Sequence, residues 1–137
     1  MLSLILLASA SVATVEHRGA RFQVAHTPVV QHRVKTVGND FGPRASTQQC
    51  RWTASIGVER AIGGAGGVDA GQGVRTLLPL HREISGVRPG ACRSDEHAAL
   101  IADARVERAA AALVAQAGAD RAGVLASIDA INAVAAR

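Results

Sequence analysis

Apolar and polar residues alternate along much of the first ninety positions. Between Val15 and Val37, Phe22 and Val24 alternate with Arg21, Gln23 and Ala25, and beyond Pro28 the residues Val30, His32, Val34 and Thr36 alternate with Gln31, Arg33 and Lys35. A period of two sends one set of side chains to a core and the other to solvent. The pattern predicts two extended segments interrupted at Pro28, with Gly38-Asn39-Asp40 as the closing turn. A polar connector with Pro43 runs from Phe41 to Gln49. The clearest strand pattern comes next: Cys50, Trp52, Ala54, Ile56 and Val58 alternate with Arg51, Thr53, Ser55, Gly57 and Glu59. Ala61 to Gly73 holds six glycines and predicts a loop. Val74 to Leu80 and Glu83 to Val87 are further short strands, of which Pro79 places at least one on a sheet edge. Pro89-Gly90 is a turn that delivers Cys92 to the next element.

The pattern changes at Ser94. Seventeen residues between Ala98 and Ala136 are alanine, a strong helix former. Ser94 is the expected N-cap of a helix reaching about Ala117, with Asp95 and Glu96 complementing the dipole in its first turn and Gly118 as its C′ residue. Asp103 and Glu107, four residues apart, fall on its solvated side. Leu100, Ile101, Val106 and Leu113 spread widely around that helix. Asp120 caps a second helix, Arg121 to Ala136, whose stripe of Val124, Ile128, Ile131 and Ala135 is cleaner. The fold class is therefore α+β: a small antiparallel sheet of about four strands, then a C-terminal two-helix hairpin packed on one face. Trp52, in phase with Ile56 and Val58, belongs in the core between the two layers.

The amino terminus adds a compartment. Leu2 to Ala8 is apolar and uncharged, and Ala8-Ser9-Ala10 and Ser11-Val12-Ala13 both suit signal peptidase. We therefore expect residues 1–14 to be a signal peptide and residues 15–137 a single domain, strand-rich over 15–91 and helical over 92–137. The run is too short to span a bilayer, so no membrane span is expected in the mature chain. No basic residue precedes Arg18; a start upstream of Met1 would supply one, and a buried amino-terminal strand is the competing reading. Cys50 and Cys92, 42 positions apart with no third cysteine, are expected to form a disulfide in the periplasm or outside the cell. On the chain-entropy model such a loop contributes about 4 kcal/mol.

Composition narrows the chemistry. Fourteen of the fifteen basic residues are arginine, and the formal net charge is +4. Lys35 is the only lysine and lies in no phosphate-binding or Schiff-base context. Three aromatic residues, Phe22, Phe41 and Trp52, do not make a base-stacking platform. The second helix carries an apolar face rather than a recognition surface, so no nucleic-acid partner is expected. The glycine segment fails the dinucleotide fingerprint at its last position. His17, His26, His32, His81 and His97 form no metal-ligand spacing, and no cofactor or metal is expected. Arg21, Arg33, Lys35 and Arg51 all occupy the polar phase of candidate strands. On adjoining strands they make a cationic face suited to an anionic envelope component or an acidic protein, although Glu59 shares the phase. The expected role is thus a non-enzymatic interaction or structural module of the cell envelope. The alternative is a small metal- or thiol-dependent enzyme in which His26 or His32 meets His81 across the sheet, with Asp69 or Glu83 beside them.

Overall fold

The computed structural model describes residues 4–5, 10–39, 47–64, 74–96 and 103–135. Within them an antiparallel sheet is followed by two helices packed upon it. The strands are β1 (Leu4–Ile5), β2 (Ser11–His17), β3 (Ala20–Val37), β4 (Gln49–Gly63) and β5 (Val74–Pro89), and the helices are α1 (Ala104–Ala119) and α2 (Arg121–Ala135). The order across the sheet is β1-β3-β4-β5, with β2 also paired to β3. Among the described residues no helix is long and apolar enough to cross a membrane.

β3 is the spine. Its register runs from Gln23 opposite Gly63 to Val37 opposite Gln49 on the β4 side. β2 pairs residues 20–26 and β1 pairs residues 29–30. Contrary to the sequence expectation, Pro28 does not break the strand. It falls between the stretches that β2 and β1 pair, and opposite Val58 where β4 and β5 shift register. A residue without an amide donor is tolerated in such a gap. The Arg18-Gly19 turn between β2 and β3 has φ of 51° and 79°, the two-residue hairpin geometry with positive φ at both positions. At the other end of β3, Gly38 has φ of 102°, and a Cβ there would strike the Thr47 carbonyl. Thr47 donates its amide to the Asn39 carbonyl at 3.1 Å, closing the β3–β4 connection.

Two further expectations are corrected. β4 continues through Arg60, Ala61 and Ile62 to Gly63, into the stretch expected as loop, because all three side chains are buried and the ladder with β3 remains intact. Residues 65–73, the rest of that stretch with Asp69, lie outside the described residues. Val74–Leu80 and Glu83–Val87 are one strand, β5, on the sheet edge. Its irregularity at Leu78-Pro79-Leu80 opposite Val58 absorbs the proline without ending the strand.

The residues that form the helix-facing side are the apolar phase of the sequence. Val30, Trp52, Ala54, Ile56 and Val58 form one cluster with Val106, Ala109, Ala110, Leu113, Val114 and Ala117 of α1. The α1 stripe is therefore compact, because Ala109, Ala110 and Ala117 fill the face between Val106, Leu113 and Val114. The helical region is not one run from Ser94. Asp103, with extended backbone (φ −67°, ψ 120°), caps α1 by accepting from the Arg105 amide at 2.8 Å. Asp103 is thus a cap rather than a solvated-face partner of Glu107. Gly118 lies inside α1, which ends one residue later because Asp120 starts α2, its carboxylate accepting from the Gly123 amide at 3.1 Å. Residues 97–102, with His97, Leu100 and Ile101, lie outside the described residues. A second, smaller cluster joins Val24 and Ile62 to Val124 and Ile128 of α2.

The disulfide between Cys50 and Cys92 ties the start of β4 to the segment leading to the helices. Glu96 is a buried carboxylate held by Arg88 and the Arg93 amide, and the residues that follow it in the expected helix, 97–102, lie outside the described residues. The Arg88 hydrogen bond, ahead of the other contacts, holds the Glu96 pKa below the ordinary value.

Candidate cationic interaction face

The sheet has a second face, and no described helix covers it. It is built from the polar phase of β3, β4 and β5, and the register lays these residues in rows. Lys35, Arg51 and Val87 form the row nearest the disulfide. Arg33, Thr53 and Ser85 form the next, then Gln31, Ser55 and Glu83, and then Val29, Gly57 and His81. Neighbouring strands lie about 4.8 Å apart and successive rows about 7 Å apart. The middle strand contributes only small side chains at Thr53, Ser55 and Gly57. A shallow trough results, with depressions of about 260 Å³ and 160 Å³ that both border on Gln31 and Ser55. Ser55 donates to Glu83 at 3.3 Å, and the Thr53 and Ser85 hydroxyls lie 3.4 Å apart.

Three of the four cations expected on one face come together here. Arg33, Lys35 and Arg51 are all exposed and make no ion pair among the described residues. Lys35 stands directly opposite Arg51, an arrangement that destabilises an antiparallel pair. Arg21 shares the face but not the cluster. It lies twelve residues along β3 from Arg33, roughly 40 Å away, and is bonded to Glu16 at 2.9 Å. Glu59, which shares the phase, is likewise neutralised, by Arg75 at 2.9 Å.

The histidines do not converge. His26 and His32 point to the helix side, His26 being buried, while His81 is exposed on the open face. Strand alternation separates them, because the β3–β4 and β4–β5 registers pair even positions with even and odd with odd. Glu83 follows His81 on the open face, and among the described residues no group of three metal-ligating side chains exists. Both cysteines are consumed in the disulfide, so the thiol route has no nucleophile.

A buried polar site not evident from the sequence pattern lies on the helix side of the sheet. Arg60 donates through Nε to His26 Nε2 at 3.0 Å and through Nη1 to the Ser127 hydroxyl at 3.0 Å. His26 must then be neutral with its proton on Nδ1. Burial, and secondarily the Arg60 charge, keeps its pKa below the ordinary histidine value. Carrying the β4 alternation one residue past Glu59 would have placed Arg60 in the core phase. His17, from β2, bonds Asp129 of α2 at 2.9 Å, and Arg18 approaches the same carboxylate at 3.3 Å.

No protein-family model matches the chain, and no curated protein or solved structure matches it either. The functional reading therefore rests on the geometry of its own residues.

Proposed function

We propose that the protein is a small exported, non-enzymatic interaction module of the cell envelope, periplasmic or secreted, that docks an anionic envelope component or an acidic protein on its open sheet face. The observation that carries this reading is the cluster of Arg33, Lys35 and Arg51. These cations are kept together and unpaired, with Lys35 facing Arg51 at a cost to the fold, while five other arginines among the described residues have carboxylate partners. Gln31, Thr53 and Ser55 in the trough beside them offer hydrogen bonds to an extended polymer or strand laid along β4. The disulfide favours an oxidising compartment. Leader cleavage after Ala10 would leave β2 whole, whereas cleavage after Ala13 would remove its first three residues and weaken the hairpin that carries Val15 and His17 to α2.

The test is co-sedimentation of the protein with envelope material at low and high salt, alongside the Arg33→Gln/Lys35→Gln/Arg51→Gln variant. At about 1 kcal/mol for each cation at an anionic surface, the triple variant should bind about a hundredfold more weakly. Retention should fall as the screening length shrinks from ~10 Å at 0.1 M to ~3 Å at 1 M salt. Retention that ignores both salt and the substitutions would refute the reading.

A further inference from the structure

On the opposite side of the sheet a second set of arginines surrounds a concavity. The helix-facing rows at the β5 edge are Trp52 with Gly86, Ala54 with Ile84, and Ile56 with Arg82. α1 begins over these rows, and a depression of about 360 Å³ opens between helix and edge strand, lined by Arg82, Ile84, Arg105, Arg108 and Ala109. That volume is within the range of small-ligand sites. Its floor is apolar, from Ile84 and Ala109, and among the described residues no carboxylate lines it. Arg82 and Arg108 are exposed and form no ion pair among the described residues, although Arg108 Nε donates to the Ala104 carbonyl at 3.3 Å. Arg105 pairs with Asp103 at 3.3 Å and lies over the Trp52 ring, 5.2 Å from its centroid. The positive end of α1 adds to the three guanidinium groups.

We infer that this cleft binds an amphiphilic oxyanion, a phosphate or carboxylate head joined to an apolar chain. The head would sit between Arg82 and Arg108, whose planar forks match two-oxygen acceptors. The apolar part would lie on Ile84 and Ala109. The cleft faces away from Arg33, Lys35 and Arg51, so the two surfaces act independently. Its ligand is a single small amphiphile rather than a polymer.

Trp52 is the only tryptophan in the chain and lies against Arg105, so its fluorescence reports the site directly. Purified full-length protein is titrated with octyl phosphate below its micellar concentration, with octanoate, with inorganic phosphate, and with phosphatidylcholine vesicles containing phosphatidic acid. The expected result is a saturable change in Trp52 emission, with octyl phosphate acting at concentrations at least about tenfold below inorganic phosphate because only it uses the apolar floor. Arg82→Gln and Arg108→Gln should each weaken binding about tenfold. Arg82→Lys, which keeps the charge but not the fork, should weaken it less. Arg33→Gln/Arg51→Gln should leave the octyl phosphate response unchanged. Both cleft substitutions are at exposed positions, and a melting curve verifies that each variant is folded. A response to octyl phosphate or octanoate alone assigns a free amphiphile as the ligand. A response to the vesicles that the Arg82 and Arg108 variants lose assigns the head group of a membrane lipid. The absence of a saturable response to any probe, or a response indifferent to Arg82→Gln and Arg108→Gln, overturns the inference.

Discussion

α1 and α2 lie on the same face of one sheet but are held there differently. α1 presents six buried side chains, Val106, Ala109, Ala110, Leu113, Val114 and Ala117, to the cluster around Trp52 and Ile56. Among its described side chains α2 presents two, Val124 and Ile128, and adds polar contacts from Ser127 to Arg60 and from Asp129 to His17 and Arg18. The first attachment depends on apolar area, which is indifferent to pH and little affected by salt. The second depends on a small core and on polar contacts, among them that of Ser127 with the buried Arg60–His26 pair. A shared sheet therefore carries one layer held by apolar packing and one held in part by polar contacts.

The largest effect should come from breaking the α1 side. Trp52 is 6% exposed, lies against Gly86 and carries Arg105 on its ring. Trp52→Ala should cost about 3–5 kcal/mol, measured by denaturant unfolding. A loss below about 1 kcal/mol would mean that the cluster is not what holds α1. Next comes the covalent tie between β4 and the helical half. Cys50→Ser/Cys92→Ser should lower stability by about 2–4 kcal/mol, matched by reduction of the unaltered protein.

The α2 side should respond to acid with a smaller change. In the unfolded chain His26 takes up a proton near pH 6.5, but in the fold, buried beside Arg60, it does so only at lower pH. Between those values unfolding binds a proton, so stability is complete above about pH 6.5 and declines as the pH falls through that window. Arg60 in turn meets the Ser127 hydroxyl and feels the Asp120 charge. Amide hydrogen exchange should show α2 losing protection before α1 on acidification, and His26→Gln should flatten the dependence. Equal loss in both helices would remove the distinction between them. The smallest effect belongs to the turn that brings His17 and Arg18 to Asp129. Arg18 adopts φ of 51°, which asparagine tolerates better. Arg18→Asn should therefore change stability by no more than about 1 kcal/mol, in the stabilising direction unless the exposed pair with Asp129 outweighs the strain. The sign of the melting-temperature shift decides between the two.

Much of the architecture was legible in the residues. The alternation from Cys50 to Val58 identified the inner face of β4, and the Asp120 cap and the Val124–Ile128 stripe identified α2. Errors clustered at prolines and glycines. Pro28 signalled a break because the sequence does not reveal which backbone amides lack a partner across the sheet, whereas Pro79 pointed to an edge strand and β5 is one. Gly63 and its neighbours concealed the last turn of alternation in β4, and with it Arg60. Only the polar phase of the interaction face was visible: phase placed Arg21, Arg33, Lys35 and Arg51 on one side, but not how far apart they stood.

The sequence by itself determined the period of each segment, the side of the sheet each side chain occupies and the availability of two cysteines for one bond, because these depend on local geometry and on counting. Tertiary structure alone decided the register. Register sets Lys35 against Arg51, isolates Arg21 beside Glu16, separates His26 from His81 and brings Arg82 to Arg105 and Arg108. These groupings join residues distant in the chain, and the pairing of whole strands and the docking of α1 fix them, which no local pattern encodes.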